Sequence, residues 1–450
     1  MLEYLLRKIE VLLDSLVEPI WQRIVRMPWV VRLGVLIGLV AAFLAARDPK
    51  AVLAFAPRLR AIVCVALSTN ERLPIRETPA RIARETAARI EDTLLPELVR
   101  AGDFGREAWP MAQTVVAARS IASIDSTAIL AFFDSAADAS CGCWRQIPGV
   151  SHPRNIVVTG WVCVAKARLS DSASEQTVRF LLKEQDPDGW WSVFPVNGQQ
   201  TFASVYGTAW AVLGLRAYLE SGSIPASQKT RVEQAIQRAS AWILSKRQRG
   251  QARWATYPNA AEPRASLAAS GLALHLLHRL GSEDVAAIDV LWLSDLPSLP
   301  PSVYQSETAA AWIDGTEGRF EDTLAQLTLP WAIIGTVDAY SNGSISQRAN
   351  AVSWLEAALL DPSMRDADTQ LPNWWRAELL VSLNYLLPHL QNEGRGEPED
   401  PIRERGPLDG PSVREPSKLR RHAQPVPQPS VKASPTGSTP VPLGVLSRGR

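Results

Sequence analysis

Between residues 78 and 388 the chain alternates two kinds of helical segment. One kind carries a single apolar stripe at three- and four-residue spacing, with charges on the opposite side. These amphipathic segments are predicted near 79–99, 124–137, 173–185, 231–247, 303–314 and 345–359. The other kind is apolar on almost every face and is predicted near 108–121, 155–169, 203–219, 264–280, 322–340 and 372–388. A stretch around 283–299, with Trp292 and prolines at its end, fits neither series and reads as an insertion. A helix with one stripe faces water on its far side, whereas a helix apolar all round is covered everywhere. Repeats that cannot bury their faces alone must stack on neighbours. Six alternations therefore predict an all-α domain over 71–390, built as two concentric layers of six helices; an open superhelix is the alternative.

Punctuation between the segments repeats as well. Ser172 with Glu175, Thr230 with Glu233, Ser302 with Gln305 and Ser344 with Gln347 have the spacing of capping boxes. The amphipathic segment after Ser172 stops at Gln185-Asp-Pro-Asp-Gly-Trp-Trp191, because Pro187 and Gly189 do not continue a helix. Other loops reach an aromatic residue in the same way, at Cys141-Gly-Cys-Trp144, at Trp254 and at Phe320.

The flanks differ from this middle. Residues 1–26 have the spacing of an amphipathic helix, and the apolar run over 27–46 holds one internal charge, Arg32, near its end. A run of about 20 residues spans a bilayer, and the long charged stretch before it fits a cleaved signal poorly. The expectation for 1–70 is a retained single-pass anchor in contact with membrane lipid; a buried soluble helix is the alternative. Arginines on both sides of the run lean only slightly toward a cytoplasmic body. Residues 391–450 contain 11 Pro, lack hydrophobic periodicity and end without acids after Glu415, which predicts a disordered basic tail open to a protein partner.

Composition narrows the chemistry. The 450 residues are 46% hydrophobic and carry a formal net charge of +1, which excludes a nucleic-acid binder acting through a broad basic surface. Four cysteines are too few and too irregular for a disulfide framework, and they favour a reducing compartment. Cys141-Gly-Cys143 is the only close pair, and a lone pair of this kind is a weak metal or redox signal. Tryptophan, with 16 copies against 9 Phe and 7 Tyr, points to a repeated structural use of the indole.

Gln185, Asp188, Gly189 and Trp191 match the Q-x-x-D-G-x-W core of the repeat found in squalene-hopene and oxidosqualene cyclases, and Thr208-Ala-Trp-Ala-Val-Leu-Gly-Leu215 resembles the inner helix that follows it. The segments 241–254 and 312–320 are degenerate copies. The resemblance covers about 78–388 and implies an (α/α)6 toroid of the kind shared by terpenoid cyclases and protein prenyltransferase β subunits. In that family these repeat residues are structural braces, so the resemblance speaks for fold more than for activity.

Family chemistry is poorly represented. The D-x-D-D acid of the cyclases is absent; Asp125 is its nearest remnant. Diphosphate ionisation needs Mg2+ held by acids, for which Asp314, Glu317, Glu321 and Asp322 form the densest junctional group; at a helix start, acids also oppose the macrodipole. Zinc of the prenyltransferase kind would call on Cys163, His275 and His278, without the family's D-x-C pair. No cofactor is expected, with Mg2+ and Zn2+ left open. Trp109, Trp161, Tyr206, Trp210, Trp331, Trp374 and Trp375 stand near the beginnings of inner helices, where they either line an apolar ligand cavity or fill the axis. Arg376 and Glu378 are expected to pair with each other. The expected function is a membrane-anchored toroid that binds an apolar, isoprenoid-like ligand or a protein partner without cyclase chemistry. The alternatives are a diverged isoprenoid cyclase or prenyltransferase-like enzyme, and a scaffold with a filled axis.

Overall fold

The computed structural model describes residues 60–66, 72–99, 107–119, 126–145, 154–171, 174–195, 202–224, 226–260, 262–299, 306–315 and 318–390. The expected span at 27–46 and the tail at 391–450 lie outside the described residues. Among those described, no helix is long and apolar enough to cross a membrane.

The described chain is mainly helical. Helix α1 (Glu77–Val99) precedes α2 (Ala108–Ala117), and α3 (Ser126–Ala136) precedes α4 (Ile156–Arg168). Next come α5 (Glu175–Lys183) with α6 (Val205–Glu220), and α7 (Ala226–Ser245) with α8 (Leu267–Leu280), the latter two separated by the short pair β1 (Trp254–Ala255) and β2 (Ala265–Ser266). Helix α9 (Val285–Asp295) leads to a hairpin, β3 (Ser306–Gly315) and β4 (Gly318–Leu327), and then to α10 (Thr328–Ala339). Helix α11 (Ile345–Leu360), two single turns, α12 (Pro362–Arg365) and α13 (Ala367–Gln370), and α14 (Asn373–Leu386) complete the order.

The apolar helices behave as their sequences require. In α4 every residue from Ile156 to Cys163 is buried, and α10 is buried from Thr328 through Val337. Helix α2 packs on α4, α4 on α6, α6 on α8, α8 on α10, α10 on α14, and α14 on α2, which closes the cycle. Neighbours run parallel: Trp109 meets Trp374, Gln113 meets Glu378, and Asn384 reaches the Ala117 carbonyl, so both chains advance together. Small residues bring the backbones close. A Cβ at Gly160 would lie 2.4 Å from the Trp210 carbonyl oxygen, and one at Gly271 would lie 2.2 Å from that of Trp331.

The two ends of the array meet. The Leu73 N–H donates to the His389 carbonyl at 2.8 Å, and the Arg76 N–H donates to Glu356 Oε1 at 2.8 Å.

One connection recurs three times between the layers. The indole N–H of Trp144 donates to the Phe133 carbonyl at the end of α3, that of Trp191 to Leu181 of α5, and that of Trp254 to Ile243 of α7. The backbone N–H of each same tryptophan donates to a hydroxyl early in the following inner helix: Thr159, Thr208 and Ser270. Each indole thus ties the end of an outer helix to the start of an inner one and satisfies a carbonyl that the helix end leaves open. Successive units are also stitched together, since the Ile156 and Val205 N–H groups donate to the carbonyls of Val193 and Thr256 in the next loop.

The fifth unit departs from the sequence expectation. The segment over 303–314 is not an outer helix; its described part is strand β3, paired antiparallel with β4 from Ser306↔Leu327 to Gly315↔Gly318. Two glycines close a two-residue connection, and the β-branched and aromatic residues Thr308, Trp312, Ile313, Phe320 and Thr323 favour strands over helix. Helix α9, read from the sequence as an insertion, instead packs on α8, α10 and α11 and takes the outer place. Its run Val285-Ala-Ala-Ile-Asp-Val-Leu-Trp-Leu293 has no single stripe, so periodicity does not mark it. The inner helix expected from 322 starts at Thr328 for the same reason. Caps differ too. Ser344 and Gln347 form the expected box, whereas α7 begins at Ala226, four residues before Thr230, and α5 begins at Glu175 after Ser174.

Replacing Gly271 by Ala should destabilise the domain by about 1–3 kcal/mol, the usual cost of overpacking. Chemical denaturation measures this, and an unchanged midpoint would contradict the close approach of α8 and α10.

Candidate functional site

Side-chain caps fix the first turns of three inner helices: Asn155, Ser204 and Ser266 accept from the N–H groups of Val158, Gly207 and Ala269. The residues just beyond those turns are thereby held at a common level of the ring. Of the seven aromatic residues read from the sequence, Trp161, Tyr206, Trp210 and Trp331 come together near the starts of α4, α6 and α10. Trp161 and Trp210 stack with ring centroids 3.7 Å apart. Trp331 meets Trp210 edge-on at 5.6 Å and lies 6.3 Å from Trp161, while Tyr206 is edge-on to Trp331 at 6.4 Å. None of the four is more than 3% exposed. Trp375 belongs elsewhere: it is half-buried against Trp374, which in turn touches Trp109 between α14 and α2.

In a cycle of six, α4 stands opposite α10, and α6 stands opposite α14. The contact of Trp161 with Trp331 therefore crosses the axis. So does a hydrogen bond that sequence reading missed, from the Tyr206 hydroxyl to Glu378 Oε1 at 3.1 Å. The same oxygen accepts from Gln113 Nε2 at 3.2 Å, and Oε2 is buried without a partner. The expected pair of Arg376 with Glu378 does not form, because residues two apart on a helix do not face one another. Arg376 instead binds the Asn373 side chain and the Asp368 carbonyl. An acid on an otherwise apolar helix was the available signal for Glu378.

Burial pushes the Glu378 carboxyl up to about 8, against the opposing pull of Tyr206 and Gln113. Burial and the neighbouring Glu378 likewise raise the Tyr206 phenol. Burial thus favours the protonated carboxyl, whose Oε1 accepts from Tyr206 and Gln113. It is a weaker proton donor than an ordinary carboxylic acid, which is the wrong direction for protonating an alkene. Around it the indoles of Trp210 and Trp331 interact with the Tyr206 hydroxyl, whereas the Trp161 indole N–H and Gln113 Oε1 are buried without hydrogen-bond partners.

The remaining candidates are dispersed. Asp314 faces Arg319 across the hairpin register, and Glu321 and Asp322 face Trp312 and Ala311. Glu321 and Asp322 are thus on strand β4 and not in the first turn of a helix. Asp322 precedes Thr328 by six residues, about 20 Å along an extended strand. Glu317 and Asp125 lie outside the described residues. Cys163, His275 and His278 form no zinc set. Burial pushes the Cys163 thiol up to about 12, His275 Nδ1 lies 2.9 Å from Asp338 Oδ2, and His278 Nε2 lies 2.9 Å from Asp289 Oδ1. Tyr385 donates to the other oxygen of Asp338 at 2.5 Å, which gives a small polar cluster nearer the C-terminal ends of α8, α10 and α14.

The repeat residues have mechanical roles. Gln185 Nε2 donates to the Gly189 and Ala235 carbonyls, and Gly189 holds φ at +103°, with Arg238 of α7 so close that a Cβ would meet its carbonyl oxygen at 2.6 Å. Asp188 is exposed; the turn is closed by Asp186, whose carboxylate accepts the Asp188 N–H. Glu307 of β3 was invisible to sequence reading. Its carboxylate accepts the Leu267 N–H at 2.9–3.0 Å, the place that a loop carbonyl takes in the two preceding units.

Glu378 makes stability depend on pH. Its proton is held more tightly in the folded chain than in the unfolded one, so its contribution is complete below about 4.5 and is lost as pH rises to about 8. Within that window the slope approaches 1.4 kcal/mol per pH unit. Glu378→Gln should remove this component and raise the denaturation midpoint relative to wild type at pH 8.5, as read from urea titrations at several pH values. No protein-family model matches the chain and no curated protein matches it, so the function rests on these residues alone.

Proposed function

We propose that the chain is an (α/α)6 toroid, anchored to the membrane through residues 27–46 with the ring on the cytoplasmic side, and that it is a non-catalytic scaffold for a protein partner. One observation carries this reading: side chains from opposite inner helices touch across the axis, through Trp161 with Trp331 and Tyr206 with Glu378. An enzyme of the terpenoid cyclase or prenyltransferase type needs an open apolar chamber with a strong acid or a metal at that place. Here the space is taken up by stacked indoles, and the one axial acid is weakened by burial. The stretch after Glu415, which carries Lys and Arg without an acid, adds a contact for an acidic partner surface.

A second reading retains an apolar ligand. The Trp161 indole N–H and Glu378 Oε2, both buried without hydrogen-bond partners, favour it, because buried polar atoms are usually paired. A chain of isoprenoid type with a polar end would enter by displacing the Trp161–Trp210 stack.

Mass spectrometry of detergent-extracted protein separates the two readings. On the scaffold reading no isoprenoid or other lipid co-purifies in stoichiometric amount, and neither squalene nor a prenyl diphosphate is turned over. Trp210→Ala then costs about 3–5 kcal/mol through the cavity it leaves. A stoichiometric lipid in the wild type that is lost in Trp210→Ala would overturn the scaffold in favour of the binder.

A further inference from the structure

The loop after α3 carries a chemistry that the axis does not use. Cys141 and Cys143, not expected from the sequence to form a disulfide, are joined by one. It closes a ring of only three residues. Loop-closure entropy grows with the length of chain enclosed, so this bond restrains the unfolded state very little and is a poor structural staple. The loop is held by other means. Asp138 and Cys143 pair through the backbone, the Cys141 and Gly142 N–H groups donate to the Asp138 carbonyl, and Gly142 takes φ +61°. From α5, Thr177 Oγ1 donates to the Gly142 carbonyl and Gln176 Nε2 to that of Ala139. Cutting the disulfide leaves all of these contacts standing.

Beside the loop is a groove of about 620 Å3, lined by Cys141, Ser140, Arg154, Glu175, Arg179 and other residues of α5. Ligand atoms of Asp138, Cys141 and Cys143 lie within 4.8 Å of one another, the only such metal-ligating group among the described residues. The Asp138 carboxylate accepts from Ser140 and Arg145, and Arg154 stands 3.9 Å away. Each carboxylate oxygen has more than one lone-pair site, so these bonds orient the group without exhausting it.

We propose that Asp138, Cys141 and Cys143 form a redox-gated site for a thiophilic divalent cation such as Zn2+, closed while the two sulfurs are bonded and opened when a thiol reductant separates them. The exchange balances with two molecules of a small thiol. The first, as thiolate, attacks Cys141 Sγ from the groove; the Cys141–Cys143 bond breaks and its electron pair leaves on Cys143 Sγ. The second attacks the sulfur of the first, releasing Cys141 Sγ and a small-molecule disulfide, and the two protons lost by the reductant are taken up by the cysteines. Zinc binding then displaces those protons. Two thiolates and one carboxylate bring three negative charges to a doubly charged ion, and Arg145 and Arg154 offset the excess. Water from the groove completes a tetrahedral shell.

The test uses the full chain in detergent, stripped of metal by a chelator and divided into phosphine-reduced and untreated halves. Both are incubated with zinc sulfate, gel-filtered without oxygen and analysed for metal. The expected result is about one zinc per chain in the reduced half and almost none in the untreated half. Cobalt in place of zinc should give a sulfur-to-cobalt charge-transfer band only after reduction. Cys143→Ser should abolish loading in both halves, Asp138→Asn should weaken it at least about tenfold, and Cys64→Ser should leave it unchanged. Circular dichroism should be the same for reduced and untreated wild type. Equal loading of the two halves, loading of Cys143→Ser at the wild-type level, a cobalt complex without the band, or loss of helix on reduction would each overturn the proposal.

Discussion

The bond from a loop indole to the last turn of the preceding outer helix is the interaction on which the architecture depends. Trp144, Trp191 and Trp254 make it in three consecutive units, and each also presents its backbone N–H to a hydroxyl of the next inner helix. An outer helix has an intrinsic difficulty: the carbonyls of its last turn lack partners within the helix. A large flat side chain with one donor fills the wedge between outer helices and caps an open carbonyl at once. No other residue type combines that area with a single directed N–H. Three of the 16 tryptophans meet that requirement, while Trp161, Trp210 and Trp331 occupy the axis.

Much of this was legible before any coordinates. Position by position, the all-apolar runs around Trp161, Tyr206–Trp210 and Trp331 became inner helices, because coverage on all sides leaves a helix no polar face to show. The fifth unit was not legible, and its failure has a physical cause. Helix α9 packs on three others through Ile288, Asp289, Trp292 and Leu293 but carries Ala286, Ala287 and Val290 on its exposed face, so no single stripe marks it, while Thr308–Gly315 carries apolar residues that satisfy either period. The role of Glu307, whose carboxylate stands in for a backbone carbonyl at Leu267, depends on a contact 40 residues away in sequence and leaves no local trace.

The axis shows how far composition alone reaches. Aromatic residues at the beginnings of inner helices announced an aromatic interior, and three indoles with Tyr206 do gather there. Whether they enclose a space or fill it is decided by the diameter of a six-helix cycle whose members approach through Gly160 and Gly271. Glu378 was noticed only as a neighbour of Arg376; its partners, Tyr206 and Gln113, come from helices that the sequence places far away. Its position fixes its chemistry, since burial favours the uncharged form of the acid and so makes it hold its proton.

The seam between Leu73 and His389 changes how the array must fold. An open solenoid grows from any starting unit and frays at its ends. A ring has no ends to fray, yet its last surface is covered only when residues more than 300 apart in the chain have met. Until the segment that carries α14 has been synthesised, helices α2 and α10 each lack the neighbour that covers one flank, so the contacts that close the array are the most distant in sequence and the costliest in chain entropy.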